Sequence, residues 1–174
     1  MAEYSFKIII IGPAAVGKSS LIRRFVENKF YLDYRFTIGV DFLTKLVEYE
    51  PNKSARLTLW DIGGQDRFKM LRRNFYDGAN GALVVFDLSR AQTFSKMKEW
   101  ISDMHKLINI KIAFVILGNK VDLLTEIGEV IDQNEPYQYA EKNDSVYIET
   151  SAKIGNNVEK AFVELTQRIV QKFS

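Results

Sequence analysis

The chain has 174 residues, of which 47% are apolar and 26% are charged, and its formal net charge is +2. This length suits a single domain over residues 1–174, and the small charge predicts no general attraction to nucleic acid or to an anionic membrane. Cysteine is absent, which excludes disulfides, thiolate metal sites and lipids carried on cysteine. Without a secretory signal or an apolar run of bilayer length, the sequence predicts a cytoplasmic protein.

Strand and helix patterns alternate along the chain. In order, they predict a strand at residues 6–11, a helix at 21–26, and a hairpin of strands at 39–49 and 55–60. There follow a strand at 81–86, a helix at 94–108, a strand at 112–117, a helix at 136–142, a strand at 146–148 and a helix at 158–169. The pattern predicts an α/β fold with a six-stranded, mostly parallel sheet, one antiparallel strand and helices on both faces.

Residues 12–19 read Gly-Pro-Ala-Ala-Val-Gly-Lys-Ser and match the phosphate-loop pattern G-x-x-x-x-G-K-S/T between a strand and a helix. Backbone N–H groups in such a loop, and the helix N-terminus after it, attract phosphate oxygens. We expect Lys18 to reach the β- and γ-phosphates and Ser19 to bind Mg²⁺. The predicted nucleotide contacts are Ala14, Ala15, Val16, Gly17, Lys18, Ser19 and Ser20. ATPases, small-molecule kinases and GTPases all use such a loop.

A second motif, Asn-Lys-Val-Asp at residues 119–122, follows the predicted strand at 112–117 and favours guanine. The Asp122 carboxylate can accept hydrogen bonds from N1–H and the exocyclic amine of guanine, a donor pair that adenine lacks. Asn119 and the stem of Lys120 would support the base. Taken alone, the same four residues also suit a solvated turn.

A third motif, Thr-Ser-Ala-Lys at residues 150–153, follows the last predicted strand. The backbone N–H of Ala152 can bond the guanine O6, and the stem of Lys153 can flank the ring beside Ser151. A plain helix-entry loop is the alternative interpretation of this segment. Together the motifs predict a site for a guanine nucleotide.

These motifs, with Thr37 and the segment Asp-Ile-Gly-Gly-Gln at residues 61–65, resemble the Ras superfamily of small GTPases over nearly the whole chain. Residues 37–42 and 59–61 are most similar to the Rab branch. The resemblance implies a P-loop NTPase fold of the small G-domain type. It implies a switch that binds GDP or GTP with Mg²⁺ and slowly hydrolyses GTP, in membrane trafficking or signalling. It also implies a monomer that meets an exchange factor, a GTPase-activating protein and effectors.

The resemblance assigns roles to individual residues. Gln65 would orient the attacking water, Lys18 would neutralise charge, and Gly64 would donate its N–H to the γ-phosphate. The implied ring contacts of the nucleotide are Phe30 and Tyr34. The implied Mg²⁺ ligands are Ser19, Thr37 and Asp61. The implied effector surface consists of Ile38, Phe42, Trp60 and Phe75, although ordinary core packing explains its three aromatic residues equally well.

Three features depart from the Rab pattern. Ala14 stands where glycine is common in Ras-type loops, and its methyl group can crowd Gln65 and slow hydrolysis. Adjacent glycines at 63 and 64 are similar to the Arf branch. The chain ends directly after the last predicted helix, so any membrane association would need a missing tail or a partner. Two alternatives remain: a nucleotide-binding interaction module with little hydrolysis, which Ala14 keeps open, and an ATP-using kinase, which Asp122 opposes.

Overall fold

The computed structural model describes residues 2, 4–32 and 40–173, apart from the side chains of residues 66–68. The predicted roles of Tyr34, Thr37 and Ile38 therefore lie outside the described residues. The described strands are β1 (Tyr4–Ile11), β2 (Val40–Glu50), β3 (Lys53–Ile62), β4 (Gly81–Asp87), β5 (Ala113–Asn119) and β6 (Tyr147–Glu149). The described α-helices are α1 (Lys18–Glu27), α2 (Arg72–Tyr76), α3 (Ala91–Leu107), α4 (Leu124–Ile127), α5 (Asn134–Lys142) and α6 (Val158–Phe173).

The strands form one sheet in the order β2-β3-β1-β4-β5-β6. The β2–β3 hairpin is antiparallel, and the other neighbours pair in parallel, which confirms the predicted sheet. β1 lies between β3 and β4, so the chain leaves β1 toward one side of the sheet and later continues on the other. Ligands of open α/β sheets bind at this kind of switch point, outside the carboxyl ends of the strands. The phosphate loop begins there, directly after β1.

Alternate residues of β1 face two separate apolar cores because strand side chains alternate between the faces of a sheet. Ile8 and Ile10 pack in the core that α1 and α6 cover. Ile9 and Ile11 pack in the opposite core, which α3 covers with side chains such as Met97. All four isoleucines are buried. Burial on both faces explains why β1 is a continuous apolar run rather than an alternating one.

The helix ends and short helical turns differ from the sequence-based expectation. Ile108, predicted as the last residue of a helix face, lies just beyond α3 but still packs against the core. 3₁₀ helices at Asp66–Leu71 and Val121–Leu123, and the short helices α2 and α4, were not predicted, because they are too short to show a hydrophobic period. Among the described helices, none has the length and apolar character needed to cross a bilayer.

Removal of the Phe162 ring is expected to lower the free energy of unfolding by about 3–5 kcal/mol, because a fully buried aromatic side chain leaves a cavity. Phe162 is buried on α6 and stacks on Phe25 of α1, with ring centroids 3.9 Å apart. Urea unfolding of Phe162→Ala measures this loss. Leu32→Ala is the control, since Leu32 is 86% exposed. Equal effects of the two changes would contradict the assigned core.

Candidate functional site

A cleft of about 870 Å³ lies at the carboxyl edge of the sheet, a volume typical of ligand sites. Loops after β1, β3, β5 and β6 form its walls. Most of the predicted site residues line it: Ala14, Ala15, Gly17, Lys18, Ser19, Ser20, Phe30, Asp61, Gly64, Gln65, Asn119, Lys120, Asp122, Ala152 and Lys153. Val16 and Ser151 are buried, Val16 within the apolar core. The structure thus brings the separate motifs to one place.

The phosphate loop has a backbone that only glycine permits at two points. Gly12 has φ +142°, and a Cβ there would lie 2.2 Å from the carbonyl oxygen of Val85 in β4. Gly17 has φ +100°, and a Cβ there would lie 2.3 Å from Asn119 Nδ2. Both positions are strained for other residues because L side chains clash with the backbone at positive φ. The two glycines therefore let the phosphate loop lie close against β4 and against residues 119–122, the segment called here the base loop.

Lys18 is buried at the centre of this loop. Its Nζ donates to the carbonyl oxygens of Gly12 at 2.9 Å and Pro13 at 2.8 Å. Burial lowers the pKa of Lys18 to about 8, while the charge of Asp61 acts to raise it and Arg72 acts to lower it. The ammonium group is thus fixed beneath the concave side of the loop, where phosphate oxygens would sit.

Ser19 and Asp61 meet at the side of the loop where the resemblance places Mg²⁺. The Ser19 hydroxyl donates to Asp61 Oδ2 in a short hydrogen bond. Asp61 is buried near the end of β3, and its backbone pairs with Ile10 of β1. A hydroxyl and a carboxylate are oxygen donors of the kind that Mg²⁺ prefers beside nucleotide phosphates. The donor set fits this metal.

Asn119 connects three loops of the site. Its Nδ2 donates to the Val16 carbonyl oxygen at 2.9 Å, and its Oδ1 accepts from Thr150 Oγ1 at 3.1 Å. Oδ1 also accepts the backbone N–H of Ala152 at 3.3 Å. That N–H, predicted to bond the guanine O6, therefore faces Asn119 in this structure, and its contact with guanine stays a prediction.

Asp122 is positioned by Ser151, whose hydroxyl donates to Asp122 Oδ1 at 2.7 Å. Ser151 itself is held in place, because its Oγ accepts the backbone N–H of Ile154 at 3.2 Å. Asp122 lines the same cleft as the phosphate loop. An oriented carboxylate in such a cleft can accept a pair of N–H donors from a purine edge.

Residues 63–65, which directly follow β3, approach the phosphate loop at Gly64. A Cβ on Gly64 would lie 2.5 Å from the Ala14 nitrogen, 2.6 Å from the Pro13 carbonyl carbon and 2.7 Å from the Gly12 oxygen. All three are backbone atoms, so they cannot move aside easily. Gln65 follows at the cleft wall in an extended conformation. Glycine at position 64 therefore lets this segment come closer to the phosphate-loop backbone than any residue with a side chain would permit.

Gly64→Ala is expected to keep GDP affinity within about threefold but to slow GTP turnover about 10²-fold, because misplacement of a reacting group by 1 Å has an effect of that order. Single-turnover hydrolysis and GDP titration measure the two quantities. Gly78→Ala is the matched control, since a Cβ at Gly78 meets nothing within 4 Å. Turnover that is unchanged in Gly64→Ala would show that this approach is not needed for hydrolysis.

The predicted effector aromatics lie on or beside the β2–β3 hairpin. Phe42 and Trp60 are opposite each other in the strand pair, with ring centroids 5.4 Å apart, and Phe42 is 60% exposed. Lys7 Nζ lies 3.8 Å from the centroid of the Trp60 ring, a cation–π contact. Phe75 of α2 is half-buried against the core beneath α3. Phe42 is thus exposed and Phe75 contributes to packing, and the effector role of these aromatic residues stays a prediction.

Sequence reasoning missed three charged residues beside the cleft. Arg24 of α1 donates from Nε to the Ala152 carbonyl oxygen at 2.8 Å and from Nη2 to that of Lys153 at 2.5 Å. Asp87 and Arg90 lie behind the phosphate loop, and Asp87 pairs with Asn119 between β4 and β5. A carboxylate that ends a buried strand is a signal that could have identified Asp87.

Asp87 is a buried carboxylate that hydrogen bonds keep ionised. Burial acts to raise its pKa, but hydrogen bonds from the Ser89 side chain, from Lys120 and from the Ser89 backbone outweigh that effect. The nearby charge of Lys120 adds to them, and together they hold the pKa below its ordinary value. The ion pair with Lys120 is 3.0 Å long. A fixed negative charge thus lies behind the phosphate loop.

Comparison with known proteins identifies relatives over almost the whole chain. Residues 7–171 match the Ras family. The chain is 37% identical to Ras-related protein Rab-4A of Danio rerio and 38% identical to Ras-related protein Rab-4B of Homo sapiens, over 98% of this chain and 78% of each relative. It is 37% identical to Ras-related protein Rab-2B of Dictyostelium discoideum, over 98% of this chain and 83% of that protein.

Proposed function

We propose that this chain, which belongs to the Ras family and is Rab-like in sequence, is a one-domain switch that binds GDP and GTP with Mg²⁺ and hydrolyses GTP slowly. The arrangement of Asp122 carries the guanine assignment. Its carboxylate is oriented by Ser151. Asp122 and the phosphate loop line one cavity, as a nucleotide that contacts both would require.

Binding follows from the residues at each end. Backbone N–H groups of residues 14–19 and the Lys18 ammonium would hold the phosphates, because oriented donors and a buried cation attract anions. Asn119 would keep the base loop against the phosphate loop through its bond to Val16. Phe30, which lines the cleft beside α1, would cover the base edge. Tyr34 is proposed to close over the phosphates, and Thr37 is proposed to contact the γ-phosphate.

Hydrolysis would depend on positioning and charge neutralisation rather than on covalent chemistry. Mg²⁺, held by Ser19, Asp61 and Thr37 when bound, neutralises charge on the phosphate oxygens. Gln65 would orient the attacking water, and Gly64 would donate its N–H to the γ-phosphate. Among the described residues, we assign to no arginine the role of neutralising charge on the transferred γ-phosphate. A partner is therefore proposed to supply that charge.

Unaided hydrolysis is expected on the order of 10⁻⁴ to 10⁻³ s⁻¹, the range of Ras-type proteins without an activating partner. Ala14 lies next to Gly64, and its methyl group is proposed to keep the rate at the low end. Single-turnover release of phosphate from GTP with Mg²⁺ measures it. Gln65→Leu is expected to be slower still with GDP affinity unchanged. A rate several decades faster without a partner would disprove the proposed dependence on one.

A nucleotide-binding module without hydrolysis is the second candidate, and the closeness of Ala14 to Gly64 favours it. Identification of the nucleotide released on denaturing the purified protein separates the possibilities. Bound GDP with slow GTP turnover is the expected result. Bound GTP that persists for days would support the non-hydrolysing module, and bound ADP would contradict the guanine assignment.

The proposed cellular role is that of a cytoplasmic monomer in membrane trafficking or signalling. Exchange factors, activating proteins and effectors would bind at two switch segments, the first around Thr37 and the second around Gln65. They would also contact the proposed effector residues Ile38, Phe42, Trp60 and Phe75. The adjacent glycines at 63 and 64 are proposed to give the second switch an Arf-like freedom, because glycine lacks the steric limits of a side chain.

A further inference from the structure

The carbonyl oxygen of Ala15, in the middle of the phosphate loop, accepts two charged donors. Arg90 Nη2 lies 2.9 Å from it and Lys120 Nζ lies 3.0 Å from it. Ala15 has φ 65°, a left-handed conformation that is unfavourable for a residue with a side chain. The two cations therefore stabilise a backbone geometry that the loop would not favour by itself.

Both donors also contact one buried carboxylate. Asp87 Oδ2 lies 3.0 Å from Arg90 Nε and 3.0 Å from Lys120 Nζ. Asp87 is 1% exposed, and its other oxygen accepts the N–H and the hydroxyl of Ser89. Because Asp87 is fixed on both sides, it holds the two cations at a defined distance from the Ala15 carbonyl oxygen.

The residues of this cluster come from different elements of the fold. Asp87 ends β4, Arg90 immediately precedes α3, and Lys120 belongs to the loop that would bind the base. Arg90 also reaches the Ala14 carbonyl oxygen, at 3.4 Å. Motion of the base loop that carries Lys120 away from Asp87 would therefore remove one support of the phosphate loop at the same time.

We propose that Asp87, Arg90 and Lys120 form an ionic clamp on the Ala15 carbonyl oxygen that makes the phosphate loop and the base loop open together and so slows nucleotide release. Arg90 is a positioning residue in this arrangement, since it acts on the nucleotide through Ala15. The inference rests on the proposed guanine-nucleotide function and adds a specific control of nucleotide residence time to it.

Release of a fluorescent GDP analogue from the full chain with Mg²⁺ tests the clamp in Arg90→Ala, Arg90→Gln and Arg90→Lys. The first two changes are expected to speed release about tenfold with association within about twofold of wild type, because the lost bonds are charge-assisted but partly solvated. Arg90→Lys keeps a charge for Asp87 and is expected to release at an intermediate rate. Arg56→Ala, an exposed arginine on the hairpin, is the matched control and should behave as wild type.

The order of these release rates separates a clamp from a general structural role. A general loss of folding would lower the melting temperature of all three Arg90 variants. It would not make the release rates of the two neutral variants higher than that of the charged variant Arg90→Lys. Release from Arg90→Ala and Arg90→Gln within twofold of wild type, or equal release from Arg90→Lys and Arg90→Ala, overturns the clamp. If Arg90→Ala does not fold, Arg90→Gln decides by the same limits. Failure of the wild type to bind the analogue would instead overturn the guanine assignment.

Discussion

Asp122→Asn is expected to reverse the base preference of the site from guanine to xanthine. The amide of Asn can still accept the N1–H of the purine, but it presents an N–H donor where the carboxylate accepted the guanine amine. Xanthine carries an oxygen at that position, so the donor finds a partner. The loss of one charge-assisted hydrogen bond, worth about 1.5–3 kcal/mol, predicts a loss of GDP affinity of about 10- to 10²-fold, and the two facing donors add to it.

Competition between GDP and xanthosine diphosphate, followed by calorimetry, measures this reversal. Asp132→Asn is a matched control, because Asp132 accepts a backbone N–H from Asn134 at 3.0 Å through an oxygen that Asn retains. Ser151→Ala removes the donor that orients Asp122. It is expected to weaken the binding of both nucleotides without changing the ratio of their affinities. A variant Asp122→Asn that keeps its preference for GDP would mean that the base lies elsewhere.

Lys18→Ala is expected to abolish tight nucleotide binding, with a loss of affinity on the order of 10² to 10⁴ from two charge-assisted contacts with phosphate. The buried ammonium now bonds the carbonyl oxygens of Gly12 and Pro13. Those bonds are already charge-assisted because the ammonium group is ionised, and phosphate oxygens would add the attraction of a negatively charged acceptor.

Titration with GDP measures the loss, and circular dichroism checks that the variant is folded. Lys160→Ala, an exposed lysine of α6, is the control for a change in net charge. Lys18→Ala should lower the affinity for guanosine much less than the affinity for GDP, because the lysine is expected to reach only the phosphates. A parallel loss for guanosine would indicate that the variant disturbs the cleft as a whole.

The sequence located β1, β4 and β5 as continuous apolar runs, because these strands are buried on both faces, and it located α3 and α6 by the helical spacing of one apolar face. The short helices and the ends of elements were less predictable, since a turn such as Asp66–Leu71 depends on tertiary contacts more than on pattern. Ile108 illustrates this point: it is apolar and packs on the core, yet the helix ends one residue earlier. Burial was visible in the sequence, whereas the exact backbone geometry was not.

The residues of the motifs that line the cleft were predictable because those motifs have fixed spacing. The residues that support them were not, because a supporting contact has no sequence signature of its own. Arg24 is separated from Ala152 by 128 positions along the chain, and only the fold brings its guanidinium to that carbonyl oxygen. Asp87 likewise has no motif of its own, and its supporting role comes from its ion pair with Lys120, which directly follows β5. Motifs identify contacts with a ligand, while topology identifies what holds those contacts in place.

The stack of Lys7, Trp60 and Phe42 has a consequence for how a partner could distinguish two nucleotide states. Trp60 and Phe42 belong to strands that are paired along most of their length, and Lys7 is anchored in turn by a hydrogen bond from its Nζ to the Asp77 carbonyl oxygen at 2.7 Å. If the stack keeps this geometry in both states, a partner that touched only the stack would have equal affinity for both and could not shift or sense their populations. Discrimination between the states must then come from contacts beyond the stack, whereas the stack itself would contribute affinity that is common to both states.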